Sequence, residues 1–542
     1  MLKHFLSIKR SPARVGLSTQ PLGLSTPSTG RAGGASPLTK NGAFPLRKAK
    51  LAFLAGVLLV VCQPPVSQFY LAFIALVPLF FSLEAGKNRL NFLTGFTAGI
   101  VSYTGLIYWV VVAMNTFGGI SIPFSVVTLC LFVLYLSLFT ACFTWLISFL
   151  DNRLHIPLFL SAPPAWVLLE YLRGVLLSGF PWSFLAHSQY NFLPLIQVAS
   201  VTGTYFLSFL IVGVNCLIYD ALTKKRFPLV YGSFIMCVLA ACLVFGFHRL
   251  REPVKGTLST SIIQGNIRQD IKFDDAYRAA IIRTYSTLTL SCSRGSGLVI
   301  WPETAMPFIF LQDGAGRAIR ALPEALSNDL LLGTISRDSR GRYYNSAYVI
   351  GRRGEIVAEY RKNHLVPFGE YTPLADYFPI LSQISVAAGD FFPGPSHDPM
   401  ITDVGKIGML ICYEGVFPSI TNDTVRRGAE VLVNITNDAW FGKSSAPYQH
   451  FAFYVFRAIE TDRYVLRAAN TGISAVIDPR GRTCAKTGLF KEDVLSGTFD
   501  IRKGETLYVR YGDWFVLFCF LFLLALMAAR RFSRYRTPMA GL

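Results

Sequence analysis

Apolar segments near or above the roughly 20 residues needed to cross a bilayer recur along this 542-residue chain, and they constrain its fold more than any other feature. Seven precede a long stretch of mixed polarity and one follows it. Their approximate bounds are 49–63, 67–83, 93–114, 122–149, 157–175, 191–219, 229–247 and 512–529. We therefore expect a multi-span α-helical membrane domain of about eight transmembrane helices.

The distribution of basic residues predicts how these segments are oriented. The net charge is +19, and in a soluble protein such an excess would suggest a nucleic-acid partner. Here the bases gather near both termini and in alternate connections, which is typical of cytoplasmic segments. They are Arg47, Lys48, Lys50, Lys87, Arg89, Arg153, Lys224, Lys225, Arg226, Arg530, Arg531, Arg534 and Arg536. The connections 63–68 and 115–122 contain none. We therefore expect both termini in the cytoplasm, residues 250–508 on the opposite face, and no nucleic-acid partner.

These patterns divide the chain into four parts. Residues 1–46 are rich in Ser, Thr, Gly and Pro and contain bases but no acid, which predicts a disordered basic cytoplasmic tail. A cleaved targeting peptide is the alternative. We expect residues 47–249 to form the membrane domain with seven helices, residues 250–508 a separate domain on the opposite face, and residues 509–542 the eighth helix with a basic tail.

Residues 250–508 have the pattern of an α/β layered domain. Helical spacing is found in 274–291 and 447–469, and Glu460 lies three residues from both Arg457 and Arg463 on one helix face. Short apolar segments between the helices predict strands. These are Leu258–Ile263, Gly297–Trp301, Leu330–Ile335, Tyr343–Ile350, Glu355–Tyr360, Gly405–Cys412, Glu430–Ile435 and Ile473–Ile477.

Three reactive side chains lie at or near the ends of predicted strands: Glu303, Lys362 and Cys412. A thiol can attack an acyl carbonyl, a carboxylate can take the thiol proton, and an ammonium can stabilise the resulting oxyanion. The turn at 413–415, followed by an amphipathic segment, predicts that Cys412 lies on a strand-to-helix elbow near helix N-terminal amides. Each residue has an ordinary alternative, inert packing for the cysteine and a solvated charge for the other two. Their combination favours catalysis on acyl groups.

Other charged and sulfur groups of this domain are secondary candidates. Glu370 and Glu414 either orient Lys362 or the incoming amine, or are solvated surface charges. His364 offers a Cys–His dyad, against the alternative of a structural histidine. The ten cysteines form no CxxC pair and no Cys/His cluster, so no metal site is expected. A disulfide between Cys292 and Cys484 remains open if this face is oxidising.

Four aromatic residues are candidates for substrate binding. Trp440 and Phe441 either belong to the core or line an acyl pocket. Trp182, on the outer side of spans five and six, either anchors the bilayer interface or contacts a lipid headgroup. Phe368, in the stretch that also holds Lys362, completes the set.

Together these stretches resemble the nitrilase superfamily of carbon–nitrogen hydrolases, whose Glu-Lys-Cys triad matches Glu303, Lys362 and Cys412 in order and spacing. The resemblance runs from about residue 50 to the C-terminus and is closest to the membrane-bound acyltransferases of that superfamily. The motifs are Glu-Tyr-Leu-Arg-Gly (170–174), Gly-Phe-Pro-Trp (179–182), Gln-Gly-Asn (264–266), Trp-Pro-Glu-Thr (301–304), His-Leu-Val-Pro-Phe-Gly-Glu-Tyr (364–371), Cys-Tyr-Glu (412–414) and Asn-Ile-Thr-Asn-Asp-Ala-Trp-Phe-Gly (434–442).

The resemblance implies an α-β-β-α sandwich on the periplasmic face of a bacterial inner membrane, acting as a monomer without metal or organic cofactor. It implies that Cys412, activated by Glu303, takes a fatty acyl group from a phospholipid as a thioester. The N-terminal amine of a diacylglyceryl-cysteine in an apolipoprotein then receives the acyl group, and Lys362 stabilises both tetrahedral intermediates. Glu370 and Glu414 match positions near the family's active site and are carried over as supporting residues.

Two other classes are open at this point. A membrane-tethered amidase acting on small soluble amides would share the triad but leaves the eight spans unexplained. A transporter or scaffold would predict charges along a pathway through the membrane; the spans hold few, chiefly Glu170 and Arg173.

Overall fold

The computed structural model describes residues 46–224, 229–292, 297–312, 314–372 and 391–536. The predicted tail lies outside the described residues except for Leu46, as do Lys225 and Arg226 of the basic connection between spans six and seven.

Helices dominate the part of the chain before residue 252, in agreement with its apolar segments. They are α1 (Leu46–Val61), α2 (Val77–Ser82), α3 (Asn88–Ile107), α4 (Trp109–Val112), α5 (Ile122–Leu154), α6 (Leu158–Val175), α7 (Leu193–Ile196), α8 (Ala199–Thr202), α9 (Tyr205–Lys224) and α10 (Leu229–Arg251). Near the C-terminus follow α16 (Leu507–Tyr511) and α17 (Trp514–Arg536).

Five of the described helices are long and apolar enough to cross a membrane: α3, α5, α9, α10 and residues 514–532 of α17. The other predicted crossings are also helical but shorter or interrupted. Helix α1 has 16 residues, the segment 67–83 divides into a 3₁₀ turn (Phe69–Phe73) and α2, and α6 carries Pro163 and Pro164.

Small residues allow α3 and α5 to approach closely. A Cβ atom on Gly95 would lie 2.1 Å from Oγ1 of Thr144, and one on Gly99 would lie 2.8 Å from Cα of Ser137. Lipid tails are as apolar as the helices themselves, so close backbone packing of this kind is what holds membrane helices together.

Residues 258–499 form two β-sheets. The strands are β1 (Leu258–Gln264), β2 (Leu298–Ile300), β3 (Met306–Ile309), β4 (Asp329–Arg337), β5 (Tyr343–Ile350), β6 (Ile356–Arg361), β7 (Met400–Thr402), β8 (Gly405–Ile411), β9 (Val431–Thr436), β10 (Val465–Ala469), β11 (Ala475–Ile477), β12 (Thr483–Lys486) and β13 (Asp493–Phe499). The first sheet has the order β13-β1-β2-β4-β5-β6, with β3 on β4, and the second has the order β12-β11-β10-β9-β8-β7.

The two sheets pack face to face between two layers of helices. Because side chains alternate along a strand, Ile407, Met409 and Ile411 of β8 face the first sheet, while Leu410 faces the helices. The helices are α11 (Gln269–Lys272), α12 (Arg278–Leu290), α13 (Ala315–Leu326), α14 (Pro418–Arg426) and α15 (Ala446–Thr461). Helices α12 and α13 cover the first sheet, and α14 and α15 cover the second. The predicted α-β-β-α sandwich is thus present.

Several boundaries differ from the prediction. The helix predicted over 447–469 ends at Thr461, where Asp462 takes the left-handed conformation (φ 55°), and residues 465–469 form β10 instead. Arg457 and Glu460 do pair on α15, at 2.7 Å and fully buried. Arg463, in contrast, lies beyond the helix and donates to the main-chain oxygen of Ala429 at 2.8 Å. Strands β3, β7, β12 and β13 were not predicted.

Helix α15 joins the sandwich to the membrane helices. Nearly every residue of it is buried, which is typical of a helix covered on all sides. On the membrane side, His187 lies 4.7 Å from Phe453 and 5.3 Å from Phe456, ring centre to ring centre. The domain therefore rests directly on the membrane helices.

A cluster of charges at the end of α15 reinforces this junction. Asp462 accepts hydrogen bonds from Arg249 of α10 at 3.1 Å and from Arg502 at 2.6 Å, and it also pairs with Arg480. One carboxylate therefore holds together three arginines from three parts of the chain.

Replacement of this carboxylate is expected to loosen the junction. Asp462→Asn keeps a side chain that tolerates the left-handed conformation. It leaves three arginines without their shared anion, which should lower the free energy of unfolding by about 2 kcal/mol or more. The melting temperature of the detergent-purified protein should fall by several degrees. The control is Asp398→Asn, which breaks an ion pair whose carboxylate is 64% exposed and should leave the melting temperature unchanged. Equal melting temperatures of the two variants would contradict this role for Asp462.

Candidate active site

The strands bring the three predicted reactive residues to one edge of the sandwich. In the first sheet β2 is parallel to β4. Strand β5 is antiparallel to both β4 and β6, so β6 points the same way as β2 and β4. In the second sheet β8, β9 and β10 are parallel. Glu303 follows β2, Lys362 follows β6 and Cys412 follows β8, so all three lie beyond the carboxyl ends of strands, where sites on such sheets are usually found.

Lys362 lies between two carboxylates in the interior. Its side chain is 1% exposed, and Nζ is 2.8 Å from Oε2 of Glu370 and 3.8 Å from Oε1 of Glu303. Burial alone would lower the pKa of Lys362, but the charges of Glu370 and Glu303 outweigh it and raise that pKa above its ordinary value. Lys362 is therefore a fixed cation.

The Glu303 carboxylate is held by two amide donors. Oε1 accepts from Nδ2 of Asn345 and Oε2 accepts from the main-chain N–H of Asn437, both at 2.8 Å. The same Asn345 amide also donates to Oε1 of Glu370 at 2.8 Å. One asparagine thus fixes the spacing of the two carboxylates that flank Lys362.

Cys412 occupies a sharp turn at the end of β8. Its φ of 53° is in the left-handed region, which costs of order 1–3 kcal/mol for a residue other than glycine and is often found at active sites. Tyr454 of α15 donates to its main-chain oxygen at 2.8 Å. A Cβ atom at Gly415 would lie 2.3 Å from that tyrosine hydroxyl, so glycine alone fits there. The predicted elbow is present, as a 3₁₀ turn over 412–416 that leads into α14.

Glu414 holds the backbone on both sides of the site. Its Oε2 accepts from the N–H of Ile411 at 2.7 Å, and its Oε1 accepts from the N–H groups of Asn363 and His364 at 2.7 and 3.1 Å. Tyr360 donates to the same Oε1 at 3.0 Å. The side chain is fully buried. Glu414 therefore links the elbow of Cys412 to the segment after Lys362, and it does not contact the Lys362 ammonium.

The Cys412 thiol is neutral at rest. Burial and the neighbouring Glu303 carboxylate raise its pKa well above the ordinary value, against the lowering effect of Lys362. Since the thiolate is the nucleophile, a base must take the proton, and Glu303 is the carboxylate that acts most strongly on this thiol.

His364 makes no hydrogen bond to Cys412 among the described residues. Its ring packs on Phe417, 4.2 Å between centres. Burial and the nearby Lys362 ammonium lower the pKa of His364 to about 4. The Cys–His alternative is therefore unsupported. The Cys292–Cys484 disulfide is also absent, because all ten cysteines are free.

The expectation that Trp182 lies at the bilayer interface or against a headgroup is wrong. Its side chain is 1% exposed, and Nε1 donates to Oε1 of Gln449 on α15 at 2.8 Å. The ring packs against Trp109, Phe441 and Tyr413 at 5.0, 6.2 and 6.4 Å between centres. An indole whose N–H is already satisfied inside the protein gains nothing at the interface. Trp182 instead connects the membrane helices to the residue after Cys412.

The other three aromatic candidates are partly or well exposed. Phe441 contacts Trp109 at 4.9 Å, and Trp440 contacts Phe117 at 6.3 Å between ring centres. Both are half-buried. Phe368 is 37% exposed and has a φ of 61°. All three remain candidates for contact with an acyl chain, and Trp440 and Phe441 lie where the sandwich meets the membrane helices.

Sandwich and site together define a carbon–nitrogen hydrolase domain carried on membrane helices. Residues 259–507 match the family described as carbon-nitrogen hydrolase. Residues 55–217 match the apolipoprotein N-acyltransferase N-terminal domain. The chain belongs to the apolipoprotein N-acyltransferase family.

Relatives of that name span nearly the whole chain. One from Geobacter metallireducens is 40% identical over 491 residues, which are 88% of this chain and 94% of the relative. One from Azotobacter vinelandii is 31% identical over 500 residues, 90% of this chain and 96% of the relative. The solved structure of Saccharomyces cerevisiae Nit3, of the nitrilase superfamily, has a TM-score of 0.36 and 18% identity, covering 46% of this chain and 91% of that chain. That likeness is too distant to add to the assignment.

Sequence reasoning missed Asn345, Asn437 and Lys272. Asn345 lies within β5, where nothing in the neighbouring sequence marks it as a site residue. Asn437 belongs to the motif at 434–442, but its role depends on a hydrogen bond to Glu303, 134 positions away. Lys272 reads as a surface charge, yet its side chain is buried and Nζ donates to the main-chain oxygen of Glu303 at 3.0 Å.

Removal of the charge on Glu370 is expected to slow acylation of Cys412. Glu370→Gln leaves Lys362 with Glu303 as its carboxylate neighbour. The pKa of Lys362 then falls, and its positive charge beside the site is less strongly stabilised. The rate of acyl-enzyme formation should fall about tenfold or more, measured with a labelled phospholipid. Glu370→Asp should recover part of the rate, and Glu359→Gln, a partly exposed carboxylate paired with Arg361, is the control. A Glu370→Gln enzyme at the unaltered rate would rule out this role.

Proposed function

We propose that this chain is a membrane-bound acyltransferase that moves a fatty acyl group from a phospholipid to the N-terminal amine of a diacylglyceryl-cysteine in an apolipoprotein. Membership of the apolipoprotein N-acyltransferase family supports the reaction class. The observation that carries the mechanism is the meeting of Cys412, Glu303 and Lys362 in a domain packed directly on membrane helices.

In the first step Glu303 takes the Cys412 proton and the thiolate attacks the ester carbonyl of the phospholipid. The tetrahedral oxyanion carries a negative charge that the Lys362 ammonium stabilises. Collapse breaks the carbon–oxygen bond, and Glu303 returns the proton to the departing alkoxide. The products are a thioester at Cys412 and a lysophospholipid.

In the second step the free amine of the acceptor attacks the thioester. Glu303 takes a proton from the attacking nitrogen, Lys362 again stabilises the oxyanion, and the carbon–sulfur bond breaks. Glu303 then gives the proton to the departing thiolate, which restores the resting thiol and leaves a triacylated N-terminus. Glu370 and Glu414 support the step by holding Lys362 and the elbow. Trp440, Phe441 and Phe368 are proposed to contact the acyl chain.

The proposed placement follows from the basic connections and the helices. Eight crossings of a bacterial inner membrane put residues 1–46 and the C-terminal tail in the cytoplasm. Residues 47–249 supply seven of them, residues 509–542 the eighth, and residues 250–508 form the periplasmic catalytic domain. The proposed acting form is a monomer.

A covalent acyl-enzyme is the expected intermediate. Incubation of the purified protein with labelled phospholipid, in the absence of acceptor, should add the mass of one acyl chain to the peptide containing Cys412. Cys412→Ala should abolish the label, while Cys484→Ala, at an exposed cysteine of the same domain, should retain it. Label that persists in Cys412→Ala, or an enzyme that hydrolyses small amides without being acylated by phospholipid, would refute the proposal.

The exposed Cys484 also reports which face the catalytic domain occupies. A membrane-impermeant maleimide added to intact spheroplasts should label the chain at Cys484, and Cys484→Ala should lose that label. The same reagent supplied to inverted membrane vesicles should not reach it. Labelling of Cys484 only in inverted vesicles would place the domain in the cytoplasm and overturn the proposed topology.

A further inference from the structure

A second lysine is buried beside the candidate site. Lys272 is the last residue of α11, and its side chain is 1% exposed. Its ammonium donates to the main-chain oxygen of Glu303 at 3.0 Å. No carboxylate is within ion-pair distance of its Nζ among the described residues. Because lysines are almost never fully buried without a partner, this placement calls for a specific reason.

The segment around Lys272 is anchored by the residues that also hold Glu303. Asn437, whose N–H donates to the Glu303 carboxylate, donates through Nδ2 to Oε1 of Gln269 at 2.7 Å. Asn470 donates to Oδ1 of Asn437 at 2.9 Å and to the main-chain oxygen of Ile267 at 2.7 Å. The position of Lys272 is thus set from the second sheet, through the loops after β9 and β10.

Charges at the site show what a cation at Lys272 does. The carboxylates of Glu303 and Glu370 carry two negative charges and Lys362 one positive charge. An oxyanion formed while Glu303 holds the thiol proton leaves this group at a net charge of −1, in a buried environment where an unbalanced charge is costly. A protonated Lys272 reduces this excess of negative charge.

The Lys272 ammonium is also coupled electrostatically to residues of the site. Burial lowers the pKa of Lys272 to about 7, with Glu303 and Cys412 acting against that lowering. On Cys412 the charged groups that act are Glu303 and Lys362, together with Asp438 after β9.

We propose that Lys272 is a positioning residue of the catalytic centre. It fixes the main chain of Glu303 through its hydrogen bond and offsets the negative charge of the Glu303–Cys412 pair, so that the Cys412 thiolate and the oxyanion form more readily. This inference rests on the proposed function for the oxyanion, but the effect on the thiol is independent of which acyl donor is used.

The test measures the reactivity of Cys412 without any acyl donor. Wild type, Lys272→Met, Lys272→Gln and Lys272→Arg are treated with iodoacetamide from pH 6 to 10, and the peptide containing Cys412 is quantified by mass spectrometry. Lys272→Met and Lys272→Gln should react about tenfold more slowly near neutral pH, and the difference from wild type should narrow toward pH 10, where Lys272 has lost its proton. Lys272→Arg should react at about the wild-type rate near neutral pH. Lys486→Met, at an exposed lysine of the same domain, controls for loss of one positive charge.

The three substitutions separate charge from packing. Glutamine keeps a donor for the Glu303 oxygen but has no charge, so a wild-type profile in Lys272→Gln would overturn the charge role even if Lys272→Met fails to fold. Acyl-enzyme formation, measured in parallel, should fall by a similar factor in Lys272→Gln. Acylation that persists in Cys412→Ala would instead refute the proposed function and leave the alkylation result standing.

Discussion

The pairing of the buried Lys362 ammonium with two carboxylates is the constraint on which the site depends. An ammonium in the protein interior costs several kcal/mol unless ion pairs and hydrogen bonds compensate for its lost hydration. Glu370 and Glu303 supply that compensation at 2.8 and 3.8 Å. Asn345, which donates to both carboxylates, fixes their spacing. These contacts therefore fix the distance between the loop after β2 and the loop after β6. The elbow of Cys412 comes from the other sheet and lies beside these fixed charges. The groups proposed to do the chemistry also hold this edge of the sandwich together.

A second set of contacts connects that edge to the membrane helices. Arg173 of α6 is buried and donates to the main-chain oxygens of Phe180 and Trp182, the latter at 2.7 Å. Glu170 on the same helix accepts from the N–H of Leu185 at 2.7 Å. These charges hold the loop that carries Trp182, whose ring lies against Tyr413, next to the nucleophile. The charges of Glu170 and Arg173 therefore have a structural role and need no transport pathway to explain them. Through Trp182 and Tyr413 they also hold the Cys412 elbow where the membrane helices meet the sandwich. A lipid ester is a substrate that such a position suits.

Local patterns predicted most of the architecture, because the features concerned are short-range. Apolar length predicted the membrane helices, short apolar segments predicted strands such as β8, and the turn after Cys412 predicted the elbow. The failures have two causes, local ambiguity and distant partners. Strand β10 is an apolar segment that directly follows α15, and periodicity cannot separate a short buried strand from a helix end. Trp182 was assigned to the interface because it lies between two predicted spans, but its partner Gln449 is 267 residues away. Asn345, Asn437 and Lys272 likewise depend on partners that only the folded chain brings near.

The neutral resting state of Cys412 follows from the same electrostatics and bears on how the enzyme works. A permanently ionised thiol needs a stable cation beside it, as a protonated histidine supplies in Cys–His pairs. Here His364, which packs on Phe417, is kept neutral by burial and Lys362, and the Lys362 charge is already shared between two carboxylates. In the proposed mechanism the thiol therefore keeps its proton until Glu303 takes it. A neutral thiol is a poor nucleophile and resists oxidation. Under the same proposal, activation depends on an ester carbonyl being in place, since only the oxyanion formed from it makes full use of the Lys362 charge.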